Sequence, residues 1–409
     1  MRMLKLLVLV FAAALAAGCV YDYGVGKDFP HLEKSLIVIE GDIIAGGISE
    51  VRVSATSKME TTRSASTKAE DYVLHEPLCQ VWVESAEGEV WPGKDTTYVW
   101  GFENYFDRRL LRISYTVDTR DLPVDGEYRL CVSYPDRGEY RSKFKKVLKA
   151  PQVESFDFVF APDTSYINVM LTSRGDNDGA RFCRIEYEEW WENRPPLMPN
   201  VILYPYDYEL YILSQPYKDS LYKCFDKFAS QKILLEDTRN MSENVVKDKI
   251  VTTLYKQQRR VNRLYSITLF QTPLDKEGYD YYKALKSNSE EMGGLYSPYP
   301  SEMVGNVFSE TFPDEVVIGY VNVCTRGEKR IFLDGGKLGL FNWRKCLEME
   351  TVEKKYWRTT YDDRGMRPYD YLRKLEGEDY VIDFDRAYWG SKDCFDVSRC
   401  YEKPDFWPR

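Results

Sequence analysis

Two histidines, His31 and His75, are all that the 409 residues offer for imidazole chemistry. A Ser-His-Asp relay would have to be built on one of them. His31 falls in a stretch that reads as a tether, and His75 stands beside a polar run from Ser57 to Ala69 that reads as a loop. Neither element can hold a relay in register. The carboxylates Glu186, Glu188, Glu189 and Glu192 are the next candidates, because glycoside hydrolysis needs a paired acid and base. Along a strand, alternate side chains face opposite sides. Glu186, Glu188 and Trp190 then share one face and Tyr187, Glu189 and Trp191 the other, which divides the acids and favours a solvated strand edge carrying aromatics.

Two further runs approach known ligand loops. Gly88-Glu89-Val90-Trp91-Pro92-Gly93-Lys94-Asp95 is one residue from a phosphate-binding loop, but an Asp replaces the magnesium-holding hydroxyl and neither a parallel sheet nor a following helix is indicated. A hairpin turn after the strand Val81 to Glu84 is the better reading. Asp176-Asn177-Asp178-Gly179 resembles the start of a calcium loop, yet its glycine comes too early and Tyr187 stands where the bidentate Glu belongs. It reads as a turn, and the overlapping Arg174-Gly175-Asp176 as chance. The sequence therefore predicts no enzyme, no cofactor and no metal site.

What remains is aromatic: 32 Tyr, 19 Phe and 9 Trp. Trp190 and Trp191, the run Tyr204-Pro205-Tyr206-Asp207-Tyr208, and Tyr296-Ser297-Pro298-Tyr299-Pro300 lie in or near expected loops, where amphipathic rings stack on sugars or peptides or form protein interfaces. Trp190, Trp191, Tyr204, Tyr206, Tyr296 and Tyr299 are the candidate ligand-binding residues. The chain is 44% hydrophobic and 30% charged, with formal net charge −9, and it has no basic block. This composition excludes disorder and a polytopic membrane protein, and makes nucleic acid a poor partner.

The N-terminus carries an address. Met1 to Lys5 are a short basic start, and Leu6 to Ala17 form an apolar run too short to span a bilayer. It ends Leu15-Ala16-Ala17-Gly18-Cys19, which looks like a bacterial lipobox: residues 1–18 are expected to be cleaved and the Cys19 thiol to accept a diacylglycerol. Several acyl chains on one cysteine anchor stably, each buried CH₂ contributing roughly 0.8 kcal/mol. The expected location is the outer membrane, lipid-anchored and facing the cell surface, with the periplasmic leaflet as the alternative.

Residues 19–34 read as the tether. Short alternating runs follow, among them Leu36 to Gly41, Glu50 to Ser54, Cys79 to Glu84, Leu110 to Tyr115 and Glu127 to Val132, separated by turn residues. They predict an Ig-like β-sandwich over 35–150. A second β-rich, α+β domain is expected over 151–409. Its one clear helix spans 275–292, with acids in the first turn, apolar residues at Tyr281, Tyr282, Leu285 and Met292, and a stop at Gly293-Gly294. Apart from Cys19 there are eight cysteines, an even number that permits disulfides in an oxidising compartment. Cys79 with Cys131, Cys394 with Cys400, either of the latter with Cys346, and buried free thiols all stay open.

The order of these pieces brings a family to mind. Leu36 to Gly41 after the tether, Arg184 to Glu192, Ser242-Glu243-Asn244, the helix opening after Leu274, Pro300 to Val307, and the closing Lys403-Pro404-Asp405-Phe406-Trp407 resemble the Bacteroidota lipoprotein family called domain of unknown function 4249. The resemblance runs from about residue 34 to the C-terminus. It implies an outer-membrane lipoprotein in the setting of TonB-dependent transporters, without catalytic residues to carry over. The expected function is thus a non-enzymatic, surface-exposed accessory that binds ligand or caps a TonB-dependent barrel, with a structural or assembly subunit of an envelope complex as the alternative.

Overall fold

Alternating apolar residues and turn signals produce a chain that is mainly strand. A computed structural model describes residues 36–55, 79–96, 98–100, 110–112, 114–135, 137–222, 224–290, 303, 305–376, 379–395 and 400–408. The strands begin with β1 (Ile37–Ile44), β2 (Gly47–Ala55), β3 (Gln80–Ser85), β4 (Val90–Asp95), the ribbon β5 (Tyr98–Trp100) and β6 (Leu110–Arg112), β7 (Ser114–Thr119), β8 (Glu127–Tyr134), β9 (Gly138–Ser142) and β10 (Lys145–Lys146). Next come β11 (Gln152–Phe160), β12 (Tyr166–Arg174), β13 (Phe182–Glu192), β14 (Val201–Tyr204), β15 (Glu209–Ile212), helix α1 (Gln215–Leu221), β16 (Phe225–Ala229), β17 (Leu234–Asp237), β18 (Val245–Tyr255), β19 (Leu264–Leu274) and helix α2 (Lys276–Glu290). The chain continues through β20 (Val307–Ser309), β21 (Val317–Ile318), β22 (Val321–Cys324), β23 (Gly327–Asp334), β24 (Glu350–Glu353), helix α3 (Trp357–Asp362), β25 (Met366–Glu376), β26 (Asp379–Ser391) and helix α4 (Lys392–Phe395).

The N-terminal strands form a sandwich whose sheets are joined through β4, in the order β9-β8-β3-β4-β7-β2-β1. Its wall nearly closes into a barrel: β10 pairs with β8, Leu148 just beyond it bridges Cys324 of β22, and β22 runs parallel to β1. Ile39, Val51, Val83, Val117, Leu130 and Val323 fill the interior. This sheet is not confined to residues before 150, because β20, β21 and β22 complete it from far downstream. The returning segment can nest only where side chains are absent: a Cβ at Gly305 would lie 1.6 Å from the Gly319 carbonyl oxygen, and one at Gly319, where φ is +123°, would lie 1.9 Å from the Ile39 oxygen. Asn306 pins it further, donating to the Val321 oxygen and accepting from the Val321 amide.

Residues 151–409 hold two bodies. In the first, β11-β12-β18 packs on β16-β13-β19-β23, with β17 also paired to β13, around Phe156, Val169, Leu171, Ile185, Ile267 and Leu269. Counting along this body, the first, second and sixth strands share one sheet and the other five the second, a distribution like that of an Ig-like sandwich with extra strands on its second sheet. Helix α2 lies where the sequence predicts it, Asp275 accepting the Gly278 amide at its start, and buries Tyr281 and Tyr282 against Phe182, Leu274 and Tyr320. The second body is small: the hairpin β14-β15 and the sheet β24-β26-β25 enclose Leu203, Leu210, Trp357, Tyr371 and Trp389.

The cysteines correct one expectation and settle another. Cys79 does not bridge Cys131; both are buried thiols outside any disulfide. Cys79 immediately precedes β3 and Cys131 lies on the paired strand β8, but Cys79 packs into the barrel core whereas Cys131 follows the opposite face and its thiol donates to Glu84. Cys394 bonds to Cys346 rather than to Cys400. Cys400 instead bonds to Cys224, because an antiparallel bridge between Phe225 and Tyr401 lays the two segments side by side.

Candidate functional site

Strand β13 carries both tryptophans proposed as binding residues, and packing uses both. Trp191 points inward against the sandwich core. Trp190, on the outer face, donates from Nε1 to Glu188 and meets Tyr401 and Phe406 edge-on at 6.3 and 6.1 Å. The terminal segment covers this face: Trp407 packs on Phe225 and Phe332, and Arg330 lies 3.5 Å from the Phe406 ring centre. Both indoles are therefore committed to internal contacts.

Tyr204 and Tyr206 are different. Tyr204 ends β14 and Tyr206 lies in the turn to β15; they remain 46% and 48% exposed, beside Tyr211 at 42% and Ile212 at 60%. Tyr204 meets Tyr206 edge-on at 6.3 Å and Tyr211 at 4.9 Å, while the Tyr211 hydroxyl donates to Asp207 at 2.6 Å. That hydrogen bond to a carboxylate, the Tyr206 hydroxyl beside it and modest burial all push the Tyr211 pKa up. The neighbouring Tyr208 donates to Asp362, which fixes the turn to α3. The result is an exposed patch of rings on a hairpin whose other face is packed. Tyr296, Tyr299 and the lipidation candidate Cys19 lie outside the described residues.

The acids of β13 divide as alternation requires. Glu189 is fully buried and accepts two bonds from Arg260 Nη1, at 2.8 and 2.7 Å, and one from the Tyr265 hydroxyl at 2.6 Å. Burial and this carboxylate raise the Tyr265 pKa well above its ordinary value. Glu186 and Glu188 are half-buried on the opposite face. Both line a cleft between barrel and sandwich, whereas Glu189 is sealed in the core. The phosphate-loop look-alike is the β3-β4 hairpin with Gly88 in its turn, and Asp176 to Gly179 is the β12-β13 turn, closed by the Gly179 amide on the Asp176 oxygen.

A cleft of about 450 Å³ opens between barrel and sandwich, and sequence reading missed it. Its barrel wall presents Glu40, Asp42, Glu50 and Arg52 from β1 and β2; its sandwich wall presents Arg184, Glu186, Glu188 and Phe270. Arg184, only 8% exposed at its side chain, gives Nη2 to Asp42 at 2.5 Å and Nε to Glu186 at 3.0 Å, and stacks 4.4 Å from the Tyr282 ring. Burial opposes its charge, but Asp42 and Glu186 outweigh burial and push its pKa up. Arg326 approaches Asp42 at 3.6 Å. The one local signal was an arginine between the buried Cys183 and Ile185; its partner Asp42 lies 142 residues away, beyond any periodicity.

A family model described as Domain of unknown function (DUF4249) matches residues 21–330. The match takes in the barrel strands and nearly the whole sandwich, and stops short of the closing Lys403 to Trp407. No curated protein matches the chain.

Proposed function

The chain belongs to the DUF4249 family, and from that premise we propose that it is a non-enzymatic lipoprotein of the outer membrane, facing the cell surface and assisting a TonB-dependent transporter barrel. The observation that carries this reading is the tyrosine patch. Tyrosines that stay about half exposed on a hairpin turn are the residue type that dominates protein interfaces, because they bury much area with little rotamer freedom to lose. The lipobox-like Leu15 to Cys19 supplies the anchor. Among the described residues no helix is long and apolar enough to cross a membrane, so the acyl chains are the attachment this reading assigns.

Isolation of the acylated protein from native membranes in mild detergent tests it. A TonB-dependent barrel is expected to copurify in near-equal amount, and the triple variant Tyr204→Ser, Tyr206→Ser, Tyr211→Ser is expected to lose at least tenfold of that barrel while melting as the parent does. Recovery without any barrel would overturn the reading. Recovery with envelope assembly components instead would assign it a structural role.

A further inference from the structure

We propose that the cleft between barrel and sandwich binds a short extended peptide with free termini, its carboxylate against Arg184 and Arg326 and its amino group near Glu188. The cleft is lined mostly by charged side chains. At one end Arg184 and Arg326 meet the buried carboxylate of Asp42, and Arg184 also meets Glu186, so two guanidinium groups stand against two carboxylates there. Arg184 uses Nε and Nη2 on Glu186 and Asp42, and its Nη1 group has no protein partner among the described residues. A guanidinium with a free donor pair, already oriented by two carboxylates and a ring, is suited to a carboxylate ligand. The remaining lining carries Glu40, Glu50 and Glu188 against Arg52 and Lys232, so negative charge prevails by one away from that end.

Spacing sets the length. Arg184, Glu186 and Glu188 follow one another on the outer face of β13, and at roughly 3.3 Å per residue Glu188 stands about 13 Å from Arg184. An extended chain of about four residues spans the same distance. The cleft offers only a modest apolar wall, Phe270, Tyr282 and Leu285, so terminal charges rather than large side chains would hold the ligand. A neutral sugar would bring a charge to neither end, and a singly charged ligand to one.

Calorimetry on the purified full-length protein with tetra-alanine tests the assignment, and no barrel is present, so the outcome is separate from docking at the tyrosine patch. Tetra-alanine is expected to bind, with N-acetylation and C-amidation each weakening it at least tenfold. Arg326→Gln is expected to weaken tetra-alanine at least tenfold. Glu188→Gln, which keeps an acceptor for the Trp190 indole, is expected to weaken tetra-alanine but not N-acetyl-tetra-alanine. If Arg326→Gln fails to fold, the capped peptides and Glu188→Gln decide alone. No binding, a cap at either end that costs less than twofold, or equal binding of maltotetraose overturns the proposal.

Discussion

At Glu189 strand β13 carries a carboxylate into an apolar core, where Arg260 and Tyr265 satisfy it. Removing one partner of such a pair strands the other charge away from water, at a cost of about 3–5 kcal/mol. Glu189→Ala is therefore expected to lower unfolding free energy by about that amount in urea melts, whereas Glu188→Gln on the outer face is expected to stay within about 0.5 kcal/mol; equal losses would refute the assignment of faces. Alternation along β13 made this division readable from the sequence, because side-chain direction in a strand is a local property. The identity of each partner was not readable: Arg260 follows Glu189 by 71 residues, and nothing local marks it. The same limit separated Trp190 and Trp191, which packing consumes, from Tyr204 and Tyr206, which it leaves exposed.

At the scale of elements, helix α2 is clamped to the barrel by Lys145, whose Nζ reaches Asp275 at 2.6 Å, Glu277 at 3.0 Å and the Tyr320 hydroxyl at 2.5 Å. Burial raises the pKa of both carboxylates, but hydrogen bonds from lysine, Lys145 to Asp275 and both Lys143 and Lys145 to Glu277, more than compensate and hold them below their ordinary 3.8 and 4.5. Groups depressed in the folded state contribute stability above their unfolded pKa and lose it as pH falls through the folded one. The clamp is thus at full strength above about pH 5 and weakens as the solution is acidified below 4.5. Lys145→Met should flatten the acid limb of a melting-temperature profile between pH 5 and 3; an unchanged slope would exclude the clamp as its cause. The helix itself was legible from its capping acids and apolar spacing. Its attachment depends on a strand about 130 residues earlier, so only the folded chain shows it.

At the scale of the whole molecule, barrel and sandwich are interlocked. The chain leaves the sandwich after β19, forms α2, returns to the barrel for β20, β21 and β22, and re-enters the sandwich as β23. A fragment ending at residue 150 lacks β22, so β1 keeps an unpaired edge and the barrel stays open. Fragment 36–150 is expected to show no cooperative thermal transition, and fragment 36–334 to show one; cooperative unfolding of the shorter piece would refute the interlock. By itself the sequence determined the mainly β class, the position of α2, the alternation that sorts β13 and the lipobox-like N-terminus, since all of these rest on near-neighbour periodicity and spacing. Only the tertiary structure decided the strands that complete the barrel, the pairing of Cys224 with Cys400, the packed fate of Trp190 and the existence of the charged cleft. Each of these joins residues more than a hundred positions apart in the chain, and long-range contact is set by how whole sheets pack, which no local pattern records.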